Sequence, residues 1–158
     1  MSWCSKGRAA ALLSAALAGG TAPCRAQVRE VQVWGLAVAS QPALYAAGVG
    51  LAWRDNQRSR IAPALALGAL GNGRLGARAD LAIHFLLDPY RREGTAIYGG
   101  GGLTAVVAGR RVTPFALLVF GAERNPGGAG GSFIEIGVGG GVRLAIGYRW
   151  RKSNAPGR

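Results

Sequence analysis

Large apolar residues alternate with small or charged ones along two stretches of the chain, Arg78 to Leu87 and Val142 to Arg151. In the first, Ala79, Leu81, Ile83, Phe85 and Leu87 share one face of an extended strand, while Arg78, Asp80, Ala82 and His84 share the other. In the second, Val142, Leu144, Ile146, Tyr148 and Trp150 oppose Arg143, Ala145, Gly147, Arg149 and Arg151. A repeat of two residues belongs to a β-strand, since a helix repeats every 3.6. Turn signals divide the remaining chain into similar short pieces: Ser40 to Pro42, Asp55 to Ser59, Gly71 to Gly73, Asp88 to Gly94, Ala108 to Arg111, Asn125 to Gly128 and Gly139 to Gly141. These seven turns separate eight strands, expected at 29–39, 43–54, 60–70, 74–87, 95–107, 112–123, 131–138 and 142–151. Most approach the length that a tilted strand needs to cross the hydrocarbon core of a bilayer.

The same sorting of faces recurs in other strands. Tyr45, Ala47, Val49, Leu51 and Trp53 oppose Ala46, Gly48, Gly50, Ala52 and Arg54. Ile61, Leu65 and Leu67 oppose Arg60, Ala62, Ala64, Ala66 and Gly68, and Ile134, Ile136 and Val138 oppose Phe133, Glu135 and Gly137. An eight-stranded barrel has an interior barely wide enough for side chains, so a face of Ala, Gly and a few charges suits its inside. Large residues turned inward would overfill that lumen and leave Ala and Gly against water. Turned outward, they form a lipid-facing belt, with Tyr45, Trp53, Tyr90, Tyr98, Tyr148 and Trp150 expected as interfacial aromatics. A periplasmic barrel with a ligand cavity is the soluble alternative.

Three strands do not declare their faces. In the first, Val31 and Val33 alternate with Glu30, Gln32 and Trp34, and either set could point outward. The fifth, Ile97 to Leu103, contains four successive glycines, and the sixth, Phe115 to Phe120, has no clear alternation. Glycines at 99–102 would weaken an ordinary strand but allow coiling and close approach across a narrow lumen; a flexible linker is the other reading. Pro63 and Pro114 lack the N–H that a ladder uses, and a bulge near the rim is expected to absorb each.

Composition narrows the setting. Lys6 and Arg8, the apolar run Ala9 to Ala18 and the sequence Cys24-Arg25-Ala26 form a secretory signal peptide over residues 1–26, with cleavage expected at Ala26/Gln27. A lipoprotein cut before Cys24 competes, but Pro23 occupies a position that favours a small residue. The barrel is then expected over 27–151, followed by a short basic tail at 152–158. Both cysteines lie in the leader, so the remainder has neither a disulfide nor a thiolate metal site. Without the leader's Lys6, Arg8 and Arg25, 16 basic residues face 7 acidic ones, a formal charge of +9. For an exported chain this excess points to anionic lipid or lipopolysaccharide phosphate rather than nucleic acid. Most of the arginines are scattered, as expected of loop solvation, headgroup contact and lumen packing.

Candidate chemistry is sparse. The one histidine, His84, shares its face with Asp80, but strand residues i and i+4 stand about 13 Å apart, so the two form no direct pair. No nucleophile motif accompanies it, and neither catalysis nor a cofactor or metal is expected. The inward charges read instead as lumen ion pairs: Glu135 with Arg143, and Asp80 with Arg78, Arg54 or Arg149. In a dry interior each charge requires a partner.

At the last strand, Arg143-x-Ala145-x-x-Tyr148-x-Trp150 resembles the assembly signal of the small outer-membrane β-barrel proteins of Gram-negative bacteria, those with a single eight-stranded barrel. Ala145 stands where that family has Gly, the chain continues beyond Trp150, and its loops are short on both sides. The resemblance implies an all-β, antiparallel up-and-down transmembrane barrel in the outer membrane. It also implies recognition of Arg143, Ala145, Tyr148 and Trp150 by the barrel-assembly machinery, and a structural or interaction role with a partner left open. A narrow channel and a lipocalin-like binder are the alternatives.

Overall fold

The computed structural model describes residues 28–56 and 58–152, and all eight expected strands form within two residues of their predicted ends. They are β1 (Val28–Ala39), β2 (Leu44–Asn56), β3 (Ser59–Leu70), β4 (Leu75–Leu86), β5 (Thr95–Ala108), β6 (Arg111–Arg124), β7 (Gly130–Val138) and β8 (Val142–Lys152). The expected leader lies outside the described residues, as does the expected tail beyond Lys152, which itself ends β8. Each strand pairs antiparallel with the next, and β1 pairs with β8 from Arg29↔Lys152 to Ala39↔Val142, closing the barrel. Closure removes the free sheet edge that would otherwise invite aggregation.

Turn chemistry explains the short connections. Gly73, Gly94, Gly109 and Gly140 adopt positive φ, where a β-carbon is disfavoured, and Asn125 does so at φ 52°. The longest connection, 87–94, lies at the rim that also carries the chain ends of the barrel. Gly99 to Gly102 are strand, paired with β4 on one side and β6 on the other, so the linker reading fails.

The outer surface matches the predicted belt. Val49, Leu65, Leu67, Leu81, Phe85, Leu118, Ile136 and Ile146 are each exposed by roughly half or more. The exposed arginines, 29, 58, 74, 91, 92, 110, 111 and 124, all stand at strand ends or in turns, leaving the middle of the belt free of exposed charge among the described residues.

The prolines are accommodated differently from expectation. The only register shift recorded between β2 and β3 lies at Arg54/Asn56, at the rim and away from Pro63. Opposite Pro63 the β2–β3 ladder has no paired residues between Gly50↔Ala64 and Trp53↔Ile61, whereas pairing to β4 is continuous through Pro63↔Leu81. Pro114 sits where β6 outruns β7, whose pairing begins only at Leu118↔Val138. A closed barrel of unequal strands therefore retains short stretches of one-sided ladder, and each proline sits in one.

Candidate functional site

The lumen concentrates the chain's buried polar chemistry. The inward parity of every strand converges there, and along the barrel axis it has two charged layers and an apolar end.

The first charged layer lies near the chain ends. Glu30 on β1 and Glu123 on β6 are fully buried and face arginines from β2, β3 and β8. Arg54 donates to Glu30 (2.9 Å) and to Glu123 (3.1 Å), Arg60 donates to Glu123 (2.7 Å), and Arg151 donates to Glu30 (2.7 Å). Arg149 also donates to Glu123. In this layer two carboxylates therefore neutralise four guanidiniums only in part. Removal of one acid would leave buried cations unpaired, which is far costlier than losing a surface pair.

The second layer lies deeper. Arg143 donates to Asp80 (2.9 Å) and to Glu135 (3.0 Å), and Arg78 donates through Nε to the other oxygen of Asp80 (2.8 Å). The pairings Glu135–Arg143 and Asp80–Arg78 are those expected. Arg54 and Arg149 are not partners of Asp80: they belong to the first layer, because their places at the ends of β2 and β8 put them near the rim that carries the chain ends, whereas Asp80 stands in the middle of β4.

Between the layers stand Tyr98 and His84. The Tyr98 hydroxyl donates to Glu135 (2.8 Å), its ring stacks on His84 at 5.1 Å, and the Arg60 guanidinium lies 4.3 Å from the ring centroid. His84 Nδ1 accepts from Arg60 Nε at 3.0 Å. Tyr98 is therefore a fully buried lumen residue, contrary to its expected place among the interfacial aromatics. Its ring occupies space left by Gly121, its partner on β6, where a β-carbon would come within 2.5 Å of the ring. Gly48 makes similar room for Trp34, at 2.8 Å. A Gly121→Val variant is accordingly expected to displace Tyr98 and lose about 1–3 kcal/mol, the usual cost of overpacking, measured as a lower urea midpoint; an unchanged midpoint would exclude this packing role.

Toward the rim opposite the chain ends the lumen becomes apolar. Leu36, Val38, Leu44 and Leu70 pack there, continuous with Ala66 and Ala145 and with Trp34 and Phe133, which border the centre. Large groups thus point inward beside the expected Ala and Gly, and they pack alongside the second charged layer, with Val38 paired to Arg143 and Ala66 to Arg78. The free volume enclosed among Gln32, Asp80, His84, Glu135 and Arg143 is only about 20 Å³, near the size that one water requires.

Of the residues proposed from sequence, Asp80, Glu135, Arg78, Arg143 and Arg149 all lie buried in the lumen. Ala145 is buried beside them, whereas Tyr148 and Trp150 face outward with their rings 4.9 Å apart. Glu123 escaped sequence reasoning, and Glu30 was noted only for its alternation. Among the described residues no group of three His, Cys, Asp or Glu could hold a metal ion.

Fold and lumen together define a closed eight-stranded up-and-down barrel of the outer-membrane type. The sequence matches no protein-family model, and no curated protein shows significant similarity to it. Solved structures do. The crystal structure of the N-terminal β-barrel domain of Pseudomonas aeruginosa OprF aligns with TM-score 0.60 and 12% identity, over 81% of this chain and 98% of that domain. Neisserial surface protein A aligns with TM-score 0.57 and 11% identity, over 80% of this chain and 97% of that protein. At such identities the likeness establishes the fold.

Proposed function

We propose that this protein spans the outer membrane of a Gram-negative cell as a closed barrel with a structural or interaction role and no catalytic activity. The observation that carries the reading is the uninterrupted apolar belt around a charge-packed lumen. A soluble monomer rarely exposes contiguous apolar surface beyond a few hundred Å². A lipocalin-like binder would need an apolar central cavity, but the centre is filled by ion pairs around about 20 Å³. The exposed arginines at both rims stand where lipid phosphates lie, and they suit contacts with phospholipid or lipopolysaccharide. Arg143, Ala145, Tyr148 and Trp150 serve as the segment read by the barrel-assembly machinery, which would act on an exported chain whose leader has been removed. The two solved barrels support membrane residence by fold, and the Neisserial one is by name a surface protein.

The test is fractionation of the expressed protein, followed by gel electrophoresis with and without boiling and by recording in planar bilayers. The expected result is extraction only with detergent, a shift in migration on boiling, and no discrete conductance steps. Recovery in the soluble fraction would overturn membrane residence. Discrete steps would instead make the protein a narrow channel.

A further inference from the structure

Charge is divided unevenly between the two rims. Of the seven acids, Asp55, Asp88 and Glu93 lie at the rim of the chain ends and the other four lie in the lumen, so the turns of the opposite rim, 40–43, 71–74, 109–110 and 139–141, hold none. Those turns and the strand ends beside them nevertheless carry three exposed arginines, Arg74, Arg110 and Arg111. At the rim of the chain ends, by contrast, Arg91 is held by Asp88 at 3.1 Å.

The three arginines gather on one sector of the rim. Gly76 on β4 pairs with Ala108 on β5, and Ala108 pairs with Arg111 on β6, so the turns 71–74 and 109–110 are neighbours. The Arg74 side chain crosses from one to the other: its Nη2 lies 2.7 Å from the place that a β-carbon on Gly109 would take, against the residue that precedes Arg110. Like charges thus stand together at a rim whose turns supply no acid to offset them. Just below them the outward faces of β4, β5 and β6 are apolar, with Leu75 and Val112 exposed and Val107 paired to Val112.

We infer that this sector seats the headgroup of a diphosphorylated glycolipid of the outer leaflet, with its phosphates on Arg74, Arg110 and Arg111 and its acyl chains along Leu75, Val107 and Val112. The inference rests on membrane residence and gives the barrel a particular lipid. A guanidinium binds phosphate through two parallel hydrogen bonds, and three of them on one sector call for more than one phosphate. The headgroup of phosphatidylcholine or phosphatidylethanolamine would add its own cation to an unneutralised cluster. A free phosphate would leave the apolar strip unused. Topology supplies the leaflet: with eight strands both chain ends lie at one rim, on the side from which an exported chain arrives, and the arginine sector lies at the other.

The experiment is native mass spectrometry of the folded protein in maltoside micelles carrying diphosphoryl lipid A, monophosphoryl lipid A, cardiolipin or phosphatidylcholine. Diphosphoryl lipid A is expected to stay bound, and each of the other three to bind more weakly by about tenfold or more, the value of one lost charged hydrogen bond. Replacing Arg74, Arg110 and Arg111 together by Gln should weaken diphosphoryl lipid A by a similar factor of about ten or more. The same change at Arg29, Arg58 and Arg124, on the other rim, should leave its binding as in the parent. Equal losses in the two triple variants would overturn the site, since charge anywhere on the barrel would then suffice. Monophosphoryl lipid A bound as tightly as the diphosphoryl form would overturn the need for two phosphates, and cardiolipin bound as tightly would overturn the glycolipid. The comparison of lipids uses the parent protein alone and decides the matter even if a variant does not fold. Recovery of the protein in the soluble fraction would remove membrane residence itself, whereas a detergent-extracted barrel with no difference between its rims would remove only this inference.

Discussion

Replacing Glu123 by Ala should destabilise the barrel by about 3–5 kcal/mol, the range for stripping a partner from a buried ion pair. Glu123 is 1% exposed and accepts from Arg54, Arg60 and Arg149. Without it, Arg60 and Arg149 retain Glu30 at 3.6 and 3.8 Å, while Glu30 already serves Arg54 and Arg151. Four guanidiniums would then surround one carboxylate. The measurement is urea unfolding followed by the boiling-dependent shift on gels. A companion variant that also carries Arg149→Leu should recover a substantial part of the loss, since it removes one of the stranded charges. A loss below about 1 kcal/mol for Glu123→Ala, the size of a surface pair, would mean that water reaches the layer. The lumen would then be wet, and a channel would regain ground over the closed barrel.

This layer was largely hidden from sequence reasoning, although its signal was present. The chain has seven acids: Asp55, Asp88 and Glu93 lie at strand ends or in turns, while Glu30, Asp80, Glu123 and Glu135 lie within strands. Where a barrel's outer face meets lipid, an acid inside a strand must point inward. Glu30 therefore sets the parity of β1, turning Trp34 in and Val31 and Val33 out, and Glu123 sets that of β6, turning Leu117 and Val119 in. Alternation of large and small residues could not decide either strand, because both faces carry large apolar groups.

Strand β5 is different. It contains no charged residue, and Ile97 and Tyr98 are neighbours of similar bulk, so nothing local says which faces lipid. Tyr98 turns inward because its partners Leu86 and Gly121 do, which is information held by β4 and β6. The apolar end of the lumen was equally hidden, since Val38, Leu44 and Leu70 come together only through the β1–β2 and β2–β3 register. By contrast, the strand ends were legible because they depend on local turn chemistry at residues such as Gly73, Gly109 and Asn125.

Leu65→Arg should discriminate most sharply between a barrel in lipid and a barrel in water. Leu65 stands near the middle of β3, is 63% exposed, and pairs with Val49 and Ala79 on the same outward face. In water an arginine there would be solvated, and a surface substitution away from special features changes stability by no more than about 0.5 kcal/mol. At the midplane of a bilayer, the same change should cost about 2–4 kcal/mol, falling toward zero at the interfaces. Leu75→Arg supplies the rim control, because Leu75 opens β4 beside the turn and is 84% exposed. Folding into phosphatidylcholine vesicles should therefore be markedly weakened by Leu65→Arg and nearly unaffected by Leu75→Arg. Equal, small effects at both positions would place β3 in water and refute the belt. The contrast isolates depth from chemistry, since both variants add the same guanidinium to an exposed leucine site and differ in how far that charge lies from the headgroups.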